Sequence, residues 1–526
     1  MRRFGCVFVT LGTSLAIVLL LTPPAEYLPE GEEPKTFASM NAPPGYNLET
    51  MQGYADELQA YFLPFVDDDP EAFHRGETEV PAMAYINMSV SPQGIRIITQ
   101  SRDPGDINAL MDALERKYET YPGMRAFAAR GSIISSNDGG TRSVNLDISW
   151  PDLAALYEVA QAAYARAEAV FDDPRVQSQP SSLSLAQPLL QVKPDFDRAA
   201  EVGMTTGDIG FAVAALTDGA FVNEFFLEDD KIDMYLYNQQ GPDASLETLD
   251  NIAIHTPAGE TLLLSELVTI EEKVDTSTVR RKDGRRTITL NIIPPRSVAL
   301  ETGVATVRQD VVGYLQETGQ VPAGVTLTIS GAADQLDATR ESLSENYLVA
   351  LVIVYLLMVA IFSHWGYPLL IMLTIPLGFA GGIAGLALLN LTGEIMQALG
   401  LGSLSQPFDM ISMLGFLILM GTVVNNPILI VDRSTRNVRD QGMGPVEAVR
   451  EAVESRLRPI AISSITTICG LAPLVFLPGA GSELYRGVGV IVMAGIIGAT
   501  LVTLTMLPAL TVMVLEWQQR RQGKTV

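Results

Sequence analysis

The sequence predicts an α-helical polytopic membrane protein, with six transmembrane helices and a large α+β region exported between the first and the second. Three observations carry this. The chain has 526 residues and is 48% hydrophobic, yet its apolar residues fall in blocks. One block lies at 4–22 and five follow at roughly 347–363, 367–390, 411–431, 459–478 and 487–515. Each is near or above the ~18–20 residues that cross a bilayer as a helix. Arginines crowd one side of these blocks, and residues 23–346 alternate strand-like with helix-like patterns.

The first block, "FGCVFVTLGTSLAIVLLLT", follows Arg2 and Arg3. A cleaved signal peptide is the alternative to a span here. No small-x-small site precedes Glu26 and the apolar run is long for a signal, so an uncleaved anchor fits better. Orientation follows the basic residues. Arg433, Arg436, Arg439, Arg450, Arg456 and Arg458 fill the loop between the fourth and fifth spans, and Arg520, Arg521 and Lys524 follow the sixth. The loop at 391–410 has no lysine or arginine. Both termini and the 433–458 loop are therefore expected in the cytoplasm, with 23–346 on the far side.

In the exported text, "YINMSV" and "GIRIIT" alternate like half-buried strands, and Ile107, Leu110, Met111, Leu114 and Tyr118 then fall on one helical face. Val144, Leu146, Ile148 and Trp150 alternate, a helix is expected from Pro151 to about Val170, and "LLQVKPD" reads as a strand. The repeat of strand–helix–strand units suggests ferredoxin-like split βαβ modules. A β-rich insert interrupts them. It holds hairpins over Glu228–Asp230 and Pro257–Gly259, and a third turn sits at Asp283–Gly284. A helix near 300–317 and the strand "GVTLTIS" lead back to the membrane. The expected divisions are 1–24 for the first span, 33–140 for one α/β module, and 141–190 with 288–335 for a second. The insert takes 191–287, a five-helix bundle 345–516 and a tail 517–526.

Several chemistries are excluded. No GxxxxGK[ST] phosphate loop, HExxH or paired-cysteine zinc pattern occurs, so no enzyme, cofactor or resident metal is expected. His74, His255 and His364 are too far apart in sequence to suggest a ligand cluster. The 19 methionines fall mostly in apolar spans or amphipathic helices, where packing explains them. Cys6 and Cys469 lie in spans, so the exported region folds without disulfides. A formal charge of -25 disfavours nucleic acid as a partner and suits a soluble exported surface.

One stretch stands out, "GTVVNNPILIVDRSTR" from Gly421 to Arg436. Unpaired amides are unfavourable in hydrocarbon, so Asn425 and Asn426 should face other helices, beside a kink at Pro427. Polar residues within spans mark ion or substrate pathways by default, and gluing the bundle together is the alternative. Asp432 is expected to pair with Arg433 and Arg436. Ser463, Ser464, Thr466 and Thr467 offer hydroxyl partners on the fifth span. Gly378, Gly382 and Gly385 on the third span, with Gly487, Gly489, Gly495 and Gly498 on the sixth, permit close helix approach.

That stretch, with "GMGPVEAVREAVESRLRPIAISSITTICGLAPLVF" and "GAGSELYRGVGVIVMAGIIGATLVTLTMLPAL", closely resembles permeases of the resistance-nodulation-division (RND) family. "PPGYNLETM" and "LQVKPDFDRAAEVGMTTGDIGFAVAALTDGAFVNEFF" agree. The resemblance covers essentially the whole chain and matches the C-terminal half of such a permease. It implies an inner-membrane pump that exports small amphiphilic compounds by proton antiport. It also implies a trimer of twelve-helix units in membrane lipid, with a periplasmic adaptor protein and an outer-membrane channel. The two modules would be porter subdomains and the insert a docking subdomain. An N-terminal RND half, separate or in a longer parent chain, would complete the unit.

Residue by residue, Asn425 stands where drug-exporting members hold a lysine that pairs with two aspartates of the other half. Arg456 and Ser463 stand where the family has an arginine and a threonine of the same relay. The proton-relay candidates are thus Asn425, Asn426, Arg456 and Ser463. The Phe- and Gly-rich switch loop of drug pumps is not apparent in "EVPAMAYINMSVSPQG". Three alternatives stay open: a metal- or lipid-exporting half, a non-transporting scaffold, and a half that pairs with a second copy of itself.

Overall fold

The computed structural model describes residues 2–28, 34–131, 141–172, 174–217, 219–228, 230–238, 249, 251–276, 278–295, 297–398, 405–477 and 480–521. Asp229 of the first expected hairpin turn, part of the 391–410 loop and the last five residues of the tail lie outside them. Six helices are long and apolar enough to cross a membrane: Arg3–Leu21, Ala332–Phe362, Gly366–Met396, Met410–Asp440, Pro445–Phe476 and Leu484–Arg520.

The helix bundle is closed by its glycines. A Cβ built at Gly385 on the third span would stand 2.1 Å from the Cβ of Ala494 on the sixth. One built at Gly381 would stand 3.2 Å from the Cα of Gly498, and one at Gly495 would stand 2.3 Å from Leu419 Cδ2. Small residues on both helices are what bring the backbones this close, where dispersion contacts can replace a hydrophobic drive that lipid does not supply. The first span lies against the third and sixth, and Arg3 pairs with Glu516 at 2.8 Å.

Two compact units divide the chain: Met1–Leu183 with Arg280–Val526, and Ser184–Val279. In the first, β1 (Lys35–Asn41), β2 (Met83–Ser91), β3 (Gly94–Ser101) and β4 (Arg125–Arg130) form an antiparallel sheet in the order β2-β3-β1-β4. The helices Leu48–Phe62 and Ile107–Glu119 connect its strands in the split βαβ manner. The expected face of the second helix is the buried one: Ile107, Leu110, Met111, Leu114 and Tyr118 are each no more than 1% exposed, in one cluster with Met40, Met51, Leu58 and Phe62. Tyr118 is buried with an unpartnered hydroxyl. Tyr118→Phe should therefore hold or raise the thermal stability of the chain, by up to about 1 kcal/mol. A clear fall in melting temperature would mean that the hydroxyl has an acceptor.

The chain then forms β5 (Val144–Ser149) and β6 (Arg175–Gln179). The second unit follows, with β7 (Gln187–Pro194), β8 (Ala220–Leu227), β9 (Asp230–Leu236), β10 (Ala253–His255), β11 (Thr261–Leu263) and β12 (Val268–Asp275). They pair as β7–β12, β8–β9 and β10–β11, around a core that includes Met204, Ile209, Ile254, Leu264 and Leu267. The chain returns with β13 (Arg281–Lys282), β14 (Arg285–Ile293) and β15 (Thr326–Gly331). Asp283 and Gly284 both have positive φ, 51° and 77°, as the tight turn between β13 and β14 requires. With the helices Leu153–Val170 and Leu300–Thr306, the antiparallel run β6-β14-β5-β15 repeats the strand order of the first sheet.

Backbone bonds join this region to the bundle. Ala25 bridges Phe408, Glu26 N–H donates to Phe408 O at 2.9 Å and Met410 N–H to Tyr27 O at 3.1 Å. Glu301 accepts from Ala25 N–H at 2.8 Å and from Arg340 Nη1 at 2.7 Å. The C-terminal end of the first span and the N-terminal ends of the second and fourth are thereby tied together.

Candidate functional site

The fourth span begins at a buried N-cap, where Asp409 accepts from Ser412 N–H at 2.6 Å and from Gln406 Nε2 at 3.0 Å. Its regular helix stops at Val423 and resumes at Asn425. Pro427 has no N–H to give Val423, which accounts for the break one turn upstream. The Ile428 N–H to Val424 O bond, 3.2 Å, carries the helix across it.

This break aims the two asparagines differently. Asn426 turns inward, and its Nδ2 donates to Ser464 Oγ at 3.3 Å and Thr500 Oγ1 at 3.5 Å. The two hydroxyls are 3.0 Å apart. Three side chains thus link the fourth, fifth and sixth spans, at about 0.6 kcal/mol per interhelical bond. Asn425 is exposed and makes no hydrogen bond among the described residues. It ends a stripe of exposed positions along the same helix: Leu414, Ile418, Gly421 and Thr422.

Arg456 and Ser463 are both half-buried on the fifth span. Seven residues apart, they fall on one face two turns from each other. Arg456 Nε is buried without a partner. The Ser463 carbonyl accepts from Thr466 and Thr467, each at 2.9 Å. Neither side chain bonds to Asn425 or Asn426. The structure therefore gives Asn426 the neighbouring hydroxyl, Ser464, and adds Thr500, which the sequence reading missed. A threonine in "IIGATLVT" carries no signal until the sixth span is known to cross there.

A further expectation is corrected at the C-terminal end of the fourth span. Arg436 Nε bonds Asp432 Oδ1 at 3.0 Å, but Arg433 turns to the fifth span and holds Glu451 at 2.9 and 3.2 Å. Adjacent residues project about 100° apart on a helix, so Arg433 cannot share the face on which Asp432 meets Arg436. Chemically, the four candidate residues supply amides, a hydroxyl and a guanidinium. They can orient or accept a hydrogen bond and offset a carboxylate, but they offer no carboxylate, imidazole or thiol to hold a divalent ion.

A cavity of about 590 Å³ is lined by residues of the first four spans, Leu15, Val18, Tyr347, Phe379, Ile383 and Phe416 among them.

Residues 2–515 match the AcrB/AcrD/AcrF family. The multidrug export protein AcrF of Escherichia coli (strain K12) is 25% identical over 512 residues, covering 95% of this chain and 46% of AcrF. The cobalt-zinc-cadmium resistance protein CzcA of Cupriavidus metallidurans is 25% identical over 409 residues, 76% of this chain and 36% of CzcA. The crystal structure of a heavy metal efflux pump superposes with a TM-score of 0.72 at 20% identity, over 98% of this chain and 51% of that one. The chain thus spans about half the length of the relatives it matches.

Proposed function

The chain belongs to the AcrB/AcrD/AcrF family of resistance-nodulation-division transporters, and from that membership we propose that it acts as the C-terminal half of a proton-driven efflux permease. It would export small amphiphilic compounds across the bacterial inner membrane, with both termini cytoplasmic and the two sheet modules periplasmic, as porter subdomains. The residues 184–279 would dock an outer-membrane channel, a periplasmic adaptor would bind alongside, and three twelve-helix units would assemble.

The observation that carries this is the uncovered face of the fourth span. An amide exposed to hydrocarbon is costly, and Asn425 has no hydrogen-bond partner among the described residues. A second set of six spans, in another chain or a longer parent, would cover the stripe from Leu414 to Asn425 and bring carboxylates to it. An asparagine orients a carboxylate by hydrogen bonding, while Arg456 supplies the positive charge that an amide lacks. The apolar cavity behind Phe379 and Phe416 offers an amphiphile a place within the bundle. Metal export is the second reading, supported by the similarity to CzcA.

Weighing the intact complex, drawn from native membranes in mild detergent, tests the proposal. A co-purifying six-span chain or segment with mid-membrane aspartates is the expected result. This chain alone, or with an adaptor only, would favour a scaffold. Asn425→Leu should lower export at least about tenfold at unchanged protein level, the effect of losing one hydrogen bond to a charged group worth ~1.5 kcal/mol. Normal transport would remove Asn425 from the mechanism.

A further inference from the structure

His74 and two aspartates some thirty residues further along the chain, Asp103 and Asp106, meet on the first sheet module. Among the described residues, His74, Asp103 and Asp106 each place one ligand atom within 4.8 Å of the others. His74 ends the short helix Pro70–His74, and the aspartates bracket the turn between β3 and the helix Ile107–Glu119. The His74 Nε2 atom is 3.3 Å from Asp106 Oδ2 and 3.5 Å from Asp103 Oδ2. Charge-assisted N–H···O bonds settle near 2.7–2.9 Å, so these separations are long for a hydrogen-bonded ion pair. They match the edge of a tetrahedron of N and O ligands at ~2.0–2.1 Å from a central cation, about 3.3 Å.

Two further features point the same way. The Asp106 carboxyl is 8% exposed and accepts no hydrogen bond from another described residue besides its contact with the imidazole. Asp103 has its Oδ1 occupied by Gly105 N–H at 2.8 Å, which leaves Oδ2 turned toward His74. An outer hydrogen bond of this kind orients a ligand. Glu71 adds negative charge nearby.

We propose that His74, Asp103 and Asp106 form a binding site for a divalent transition metal of the zinc class, with water as the fourth ligand. One imidazole among two carboxylates favours zinc, cobalt or nickel over magnesium and calcium, which prefer oxygen alone. The bound ion ties the segment before β2 to the corner after β3, on a module outside the membrane. The site is separate from the relay residues and does not depend on the proposed transport.

The test uses the full chain in detergent, without a polyhistidine tag, stripped by chelator and titrated with Zn²⁺ by calorimetry. Wild type should bind one Zn²⁺ that excess Mg²⁺ does not displace. His74→Ala and Asp106→Asn should lose that site, Asp103→Asn should weaken it at least about tenfold, and His255→Ala should retain it. A His74→Cys variant keeps a ligand, and should show a thiolate-to-cobalt absorption band with Co²⁺. Equal uptake by wild type and His74→Ala, or none by folded wild type, overturns the proposal. If His74→Ala does not fold, the cysteine variant decides: a band supports the site, and a folded protein without one overturns it.

Discussion

Gly385→Leu should prevent the six-span bundle from forming, so that little monodisperse protein survives detergent extraction. Even a Cβ at this position lands 2.1 Å from Ala494 Cβ and 3.6 Å from its Cα. Neither is the end of a flexible side chain, so relief requires the third and sixth helices to move apart. Overpacking a soluble core costs about 1–3 kcal/mol, and more where backbones are already in contact. Here the separation would also undo the neighbouring approaches of Gly381 to Gly498 and of Gly378 to Ala499. Gly470→Leu is the matched control, because a Cβ there meets nothing within 4 Å. It should fold. Ala494→Gly should partly rescue Gly385→Ala by removing the atom that clashes, and failure of that rescue would mean the seam is not what limits folding.

Such a seam was legible in the sequence because small residues recur at four-residue spacing inside apolar runs, and in lipid that pattern has few other uses. The spans were legible for a similar reason, since hydrocarbon tolerates only one kind of open-chain segment. The alternating strands of the region between the first and second spans could be read one by one, but not their order. In the second sheet β6 and β14 are neighbours separated in sequence by a whole compact unit. No local pattern encodes that pairing. The relay candidates show the same limit. That Asn425 and Asn426 are anomalous follows from their types, whereas the choice of Ser464 over Ser463 depends on the rotation of the fifth helix. His74 was set aside because its partners are not histidines, and the chain folds back to supply them.

The second large effect is expected at Asp147, on the central strand of the second sheet. Its side chain is 5% exposed and accepts hydrogen bonds from Lys282 Nζ, Thr289 Oγ1 and Ser330 Oγ. Burial alone would raise its pKa, but the Lys282 ammonium and the two hydroxyls outweigh it and hold the carboxyl below its ordinary value. Asp147→Ala leaves two hydroxyls without their carboxylate acceptor and removes the carboxylate that Lys282 pairs with. Because Lys282 is 42% exposed, water screens much of the ion pair, and the loss should be about 2–3 kcal/mol rather than the full cost of breaking a buried pair.

The pH dependence has a definite sign. A carboxyl whose folded pKa lies below its unfolded value of ~3.9 contributes stability that is fully present above that value. The contribution is lost as pH falls through the folded pKa. Thermal unfolding of wild type and Asp147→Ala should therefore differ most near neutral pH, and the gap should narrow as pH drops below about 4. Taking the difference cancels the other carboxyls that titrate in the same range. Asp334 limits the effect. The charges of Lys282 and Asp147 both reach it, so it stands ready to take over Lys282 once Asp147 is gone. The double variant Asp147→Ala/Asp334→Asn should then lose more than the sum of the single losses. A gap that does not change with pH would show that Asp147 holds the sheet by its shape and hydrogen bonds, with its charge contributing nothing.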